Sequence, residues 1–117
     1  MKKNTEPLQP ETFYHVYNRG INGEVIFKEK RNYAYFLQQY DTYISLVSDT
    51  YSYCLLNNHF HFLIKTKSES QILQAFEKVI QDKTTEDVKS ATFHLQNQFA
   101  KLFNNLSSSL KYYTEIQ

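Results

Sequence analysis

The nine residues Asn57-Asn58-His59-Phe60-His61-Phe62-Leu63-Ile64-Lys65 constrain this chain more than any other stretch, because polar and apolar side chains alternate along them. Side chains of an extended strand point to opposite faces with period two, so His59, His61 and Lys65 share one face while Phe60, Phe62 and Ile64 share the other. The apolar face demands a core. The polar face then presents two imidazoles one residue apart, each with a ring nitrogen able to act as a ligand or a base. A His-x-His pair in a chain with four histidines is by itself a common accident, and its setting is what gives it weight.

That setting is a hairpin. Tyr51-Ser-Tyr-Cys-Leu-Leu56 also reads as a strand, and Asn57-Asn58 suits a two-residue loop because asparagine tolerates positive φ. Such a loop sets Leu56 opposite His59, Leu55 opposite Phe60 and Tyr53 opposite Phe62, with Cys54 and Leu56 on the histidine face. Upstream, residues 1–12 are polar with Pro7 and Pro10 and read as a flexible leader. Residues 13–117 read as one domain.

Phe13-Tyr-His-Val-Tyr-Asn-Arg19 is rich in strand formers and stops at Gly20, which predicts a first strand with Phe13, His15 and Tyr17 on one face. Gly20 to Gly23 is a turn, and Val25-Ile-Phe27 is a short extended piece that docks an apolar residue. From Lys30 to Ser48, Tyr33, Phe36, Leu37, Tyr40, Ile44 and Val47 recur at spacings of three and four, the pattern of an amphipathic helix. A second helix is predicted from Glu69 to Gln81, with Ser68 as its N-cap and Ile72, Phe76, Val79 and Ile80 on one side. Asp82 to Ser90 lacks apolar period and reads as a surface loop. Leu95, Phe99, Leu102, Phe103, Leu106, Leu110, Tyr113 and Ile116 then form a stripe that predicts one long helix over 91–117. The order is strand, helix, strand, strand, helix, helix, an α+β chain with an antiparallel sheet and helices on one face.

Composition narrows the function classes. A net charge of +1 does not advertise nucleic-acid binding, although Arg19, Lys28, Lys30 and Arg31 cluster after the first strand. Ten Tyr and nine Phe with no Trp point mostly to a core, with tyrosine hydroxyls at its rim. The single Cys54 rules out an intrachain disulfide, suits a reducing cytoplasm and reads as a buried thiol. No apolar run is long enough for a membrane span, and no apolar segment follows Met-Lys-Lys-Asn to make a signal peptide, so a cytoplasmic protein without membrane contact is expected.

With the strand Tyr14-His-Val-Tyr-Asn-Arg-Gly20, the hairpin Tyr53 to Ile64 and the segment Gln98-Phe-Ala-Lys-Leu-Phe-Asn-Asn105 in view, the chain resembles the single-tyrosine transposases of the HUH type. It is most similar to the small REP-associated tyrosine transposases, over roughly residues 13–110. The resemblance implies a ferredoxin-like αβ plait with His59 and His61 on a central strand and a divalent ion, Mg²⁺ or Mn²⁺, between them. It also implies a further polar ligand from the helix that carries the nucleophile. The implied chemistry is cleavage and transfer of single-stranded DNA, often beside a hairpin, through a 5′-phosphotyrosine. The DNA contacts expected from the charge pattern are the basic cluster Arg19, Lys28, Lys30 and Arg31, with Lys65 near the histidines. Two imidazoles suit Zn²⁺ or Ni²⁺ better than Mg²⁺ on affinity grounds.

The chain departs from the family's pattern twice. Leu106 stands where the nucleophilic tyrosine is expected, so that role falls to Tyr112 or Tyr113, displaced by about 9 to 10 Å along an α-helix. The chain also ends at Gln117, short of the basic segment and final strand of relatives, which predicts a C-terminally truncated plait. A three-stranded sheet would leave an edge open and favour a homodimer. A non-catalytic relative that only binds hairpin or single-stranded DNA is the second expectation, and a plait used for protein association alone the third. His15 and His94 are left over. His15 reads as a packed core histidine unless its strand lies beside the hairpin, and His94 as an exposed residue at a helix start, one turn from Gln98.

Overall fold

The computed structural model describes residues 7–77, 90–104 and 109–116, with 109–114 described as backbone only. Among these residues four strands and three α-helices follow one another as β1 (Phe13–Gly20), α1 (Lys30–Ile44), β2 (Ser48–Leu56), β3 (His59–Thr66), α2 (Glu69–Glu77), α3 (Ala91–Phe103) and β4 (Ser109–Glu115), with a short 3-10 turn at Ile21–Gly23 after β1. The sheet order is β2-β3-β1-β4, and every neighbouring pair is antiparallel. This is the ferredoxin-like α+β plait, with a pair of helices in the second crossover.

The helices cover one face. Phe60 and Phe62 point into them, with ring contacts to Phe36 of α1 at 4.8 and 6.1 Å and from Phe60 to Phe103 of α3 at 6.2 Å. Burial along β3 alternates without a break: Phe60, Phe62, Ile64 and Thr66 are buried, and His59, His61, Leu63 and Lys65 are half-exposed. The α1 stripe enters the same core through Phe36, Tyr40 and Ile44, successive turns of one face. Phe27 docks there too, against Phe36 and Phe60. The hairpin register is the one the two-residue loop dictates, with Leu56 opposite His59, Leu55 opposite Phe60 and Tyr53 opposite Phe62.

Local chemistry explains the boundaries. Asn32 Oδ1 accepts from the backbone N–H of Glu29 at 2.8 Å and so closes the first turn of α1. Ser68 Oγ accepts from Gln71 N at 3.2 Å while Gln71 Oε1 accepts from Ser68 N at 3.1 Å, a reciprocal cap on α2. Ser90 Oγ accepts from Phe93 N at 3.1 Å at the start of α3. Gly20 sits where the chain folds against itself: a Cβ there would land on the carbonyl oxygen of Glu24.

Five expectations are corrected. The helix over 91–117 ends at Phe103, and Ser109–Glu115 forms β4 along β1. Asn and Ser compete for backbone hydrogen bonds and favour helix ends, whereas Lys111-Tyr-Tyr-Thr114 holds β formers with an open strand edge to pair with. The sheet therefore has four strands, and the β1 edge that motivated a homodimer is taken by β4. The leader is not loose from residue 8 on: Leu8 is buried in the core and its N–H donates to Gln96 Oε1 at 2.7 Å. Neither Asn57 nor Asn58 has positive φ. Their turn is instead pinned by the β1–α1 connection, with Asn57 O accepting from Ile26 N and Phe27 N at 2.7 and 2.9 Å and Asn58 O from Gly20 N at 2.9 Å. Cys54 is exposed rather than buried, because no described element covers its side of the sheet. Leu106, Val79, Ile80, Gln81 and residues 82–89 of the predicted loop lie outside the described residues. Among the described residues no helix is long and apolar enough to cross a membrane.

Candidate functional site

The face of the sheet turned away from the helices gathers three of the four histidines, His15, His59 and His61. In register, Tyr17 lies opposite His61 and Arg19 opposite His59. His15, opposite Leu63, is therefore the diagonal neighbour of His61 on the same face. Its Nε2 lies 2.8 Å from His61 Nδ1. Tyr17 completes a set of nearly parallel rings, with centroids 5.2 Å from His15 and 5.6 Å from His61. His59 stands edge-on to His61 at 5.2 Å, and its Nδ1 lies 2.8 Å from Asn58 Oδ1.

These contacts assign nitrogens. An amide oxygen only accepts, so His59 Nδ1 carries the proton shared with Asn58 and Nε2 is the nitrogen left over. His61 likewise has Nδ1 engaged and Nε2 left over. Tyr17, Arg19, His59 and His61 line a cleft of about 280 Å³ on this face. Burial holds the His15 imidazole pKa below its ordinary value. His61 is lowered by burial first and then by the neighbouring His15 and His59, because charging three clustered imidazoles is unfavourable. Both shifts favour the neutral form of His15 and His61.

Farther along the same face, Lys65 Nζ lies 5.3 Å above the centre of the Phe13 ring, and Phe13 meets Tyr51 edge to face at 5.3 Å. Arg19 and Lys65 thus share the histidine face. Lys28, Lys30 and Arg31 do not join them. They lie at the start of α1, where Lys28 borders a separate groove with Phe36 and Leu102 on the helix side, and Arg31 is paired with Glu29. Tyr112 stands opposite Tyr17 in the β1–β4 ladder and Tyr113 opposite Val16. Both are strand residues, not helix residues as expected, and their side chains lie outside the described part.

No described helix faces the histidines, so a ligand or nucleophile delivered from α3 would have to come through the sheet. His94 is buried, not exposed: its ring stacks on Phe76 at 4.0 Å and 6°, in the α2–α3 interface on the helix side. Gln98 is buried beside it and donates to Tyr43 O at 2.9 Å. Among the described residues, no group of three His, Cys, Asp or Glu side chains is arranged to hold a metal ion. The residues that sequence reasoning undervalued are Asn58, as partner of His59, and Tyr17, as the tyrosine of the cleft. No protein-family model matches the chain, and neither does any curated protein or solved structure.

Proposed function

We propose that this chain is a transposase domain of the HUH type, acting on single-stranded DNA by transesterification through a tyrosine. The observation that carries the reading is the state of the two histidines: each has Nδ1 engaged, by Asn58 and by His15, and each keeps Nε2. Histidines that bind metals characteristically spend their second nitrogen on such an outer partner. The donor set fits half a site for Mn²⁺ or a later divalent metal, and Mg²⁺ less well. A divalent ion held by His59 and His61 would supply Lewis-acid polarisation of a phosphate oxygen.

The chain's own residues do the rest. Arg19 at the rim of the cleft is placed to pair with a phosphate, and Lys65 with Phe13 and Tyr51 offers a charge and ring surfaces for an unpaired base. In the transfer step a phenolic oxygen bonds to phosphorus while the bond from phosphorus to the 3′ oxygen breaks. The phenol proton leaves to solvent and the 3′ oxygen takes one up. Candidates for that oxygen are Tyr112 and Tyr113, joined by Tyr17 because its ring lines the cleft.

A second reading, a relative that binds hairpin or single-stranded DNA without cutting it, is favoured by the absence of a described helix on the histidine face and by Leu106. Labelled single-stranded DNA incubated with Mn²⁺ and run on denaturing gels separates the two. The first reading expects a covalent adduct that is lost in His61→Ala and in one of Tyr17→Phe, Tyr112→Phe or Tyr113→Phe. Binding without any adduct selects the second reading, and absence of both binding and adduct ends both.

A further inference from the structure

The ring of His15 is placed as no ligand of the proposed pair needs to be. It sits on β1, diagonal to His61 on β3, with its Nε2 2.8 Å from His61 Nδ1 and its plane 14° from that of His61. At that distance one ring donates and the other accepts. The two choices are not equivalent for the cleft. If His15 donates, His61 carries its own proton on Nε2 and presents an N–H to the cleft, where it is useless to a cation. If His15 accepts, His61 is held as the Nδ1–H tautomer and its Nε2 lone pair stands beside that of His59. We propose that His15 is a positioning residue that accepts from His61 Nδ1–H and so locks His61 with Nε2 as a ligand, the same service that Asn58 gives His59.

The inference rests on the metal-site reading above but makes a claim of its own about a tautomer. The two partners differ in kind. Asn58 is the chain neighbour of His59 and belongs to the hairpin itself. His15 reaches His61 only because β1 lies beside β3, so the second half of the site exists only in the folded sheet. Tyr17 stacks against both His15 and His61 and restrains each ring from flipping out of plane with the other.

The test is long-range proton–nitrogen NMR of the uniformly ¹⁵N-labelled full chain at a pH where the rings are neutral, with Zn²⁺ as a diamagnetic probe. In the unmodified chain His61 shows a protonated Nδ1 and an unprotonated Nε2. His15→Phe, which keeps a ring but no acceptor, shifts His61 toward the Nε2–H tautomer and weakens Zn²⁺ binding by about 10- to 100-fold. His15→Gln, which restores an acceptor, recovers both readouts at least in part. A His61 found as the Nε2–H tautomer in the unmodified chain overturns the proposal. So does a Zn²⁺-induced shift on the nitrogens of His15, which would make it a ligand, or a tautomer indifferent to His15→Phe. If the chain binds no Zn²⁺ yet the tautomer responds as described, the positioning role stands and the metal reading alone falls.

Discussion

His15 Nε2 and His61 Nδ1 lie 2.8 Å apart although they are not ladder partners: Tyr17 stands opposite His61, and Leu63 opposite His15. The diagonal ties the central strands together on the face that carries no described helix. A polar cluster can persist there because the opposite face does the folding. The buried rings of Phe60 and Phe62 hold β3 against α1 and α3, so the histidines are free to serve something other than stability.

That division of labour gives opposite outcomes for neighbouring substitutions. Phe62 is 1 % exposed and touches Tyr40 at 4.1 Å, so Phe62→Ala opens a cavity and costs about 3–5 kcal/mol. His59→Ala, one strand face away, changes stability by no more than about 0.5 kcal/mol. Urea denaturation of both variants measures the contrast.

Gly20 accepts no side chain. Its amide donates to Asn58 O, and a Cβ would meet the carbonyl oxygen of Glu24, a backbone atom that moves only with its whole turn. Gly20→Ala is expected to cost about 1–3 kcal/mol and to loosen the hairpin turn that carries His59. Thermal unfolding and hydrogen exchange at Gly20, whose N–H that bond protects, report the two effects.

Two of the buried groups make stability depend on pH at opposite ends of the scale. Burial first, and Lys101 second, hold His94 below the ordinary imidazole pKa of 6.5, so the native chain resists a proton that the unfolded chain takes up. Stability from this residue is complete above 6.5 and is lost as pH falls from there toward the lower native pKa. Burial pushes the Tyr40 hydroxyl up to about 12, against a lowering by its 2.6 Å hydrogen bond to Thr50. Stability is therefore lost as pH rises from about 10 to about 12. Melting curves across pH should show both slopes, with the acid one reduced in His94→Phe and the alkaline one in Tyr40→Phe.

The strand face and hairpin register were legible because alternation leaves no choice of side and a two-residue loop leaves no choice of partner. The α1 stripe was legible for the same reason at helical period. What failed lay in neighbours that period alone does not name. Leu110, Tyr113 and Ile116 continue the stripe of Leu102, yet the segment pairs with β1 because that edge was open and Asn104 ends the helix. His94 reads as exposed until α2 brings Phe76 over it. His15 becomes a partner of His61 only once the crossovers set β1 beside β3.

The basic residues separate in the same way. Arg19 and Lys65 share the histidine face, so Arg19→Ala and Lys65→Ala should each weaken single-stranded DNA binding and flatten the salt dependence by about 0.7 in log–log slope. Lys30→Ala, on α1, should leave both unchanged. Fluorescence anisotropy over a salt series measures all three.

The most direct measurement is the affinity of a fluorescent single-stranded oligonucleotide with and without Mn²⁺, for the unmodified chain and for His59→Ala and His61→Ala. Mn²⁺ should tighten binding to the unmodified chain and do nothing for either variant. Equal tightening in all three, or none in any, would contradict a metal-dependent DNA site built on these two rings.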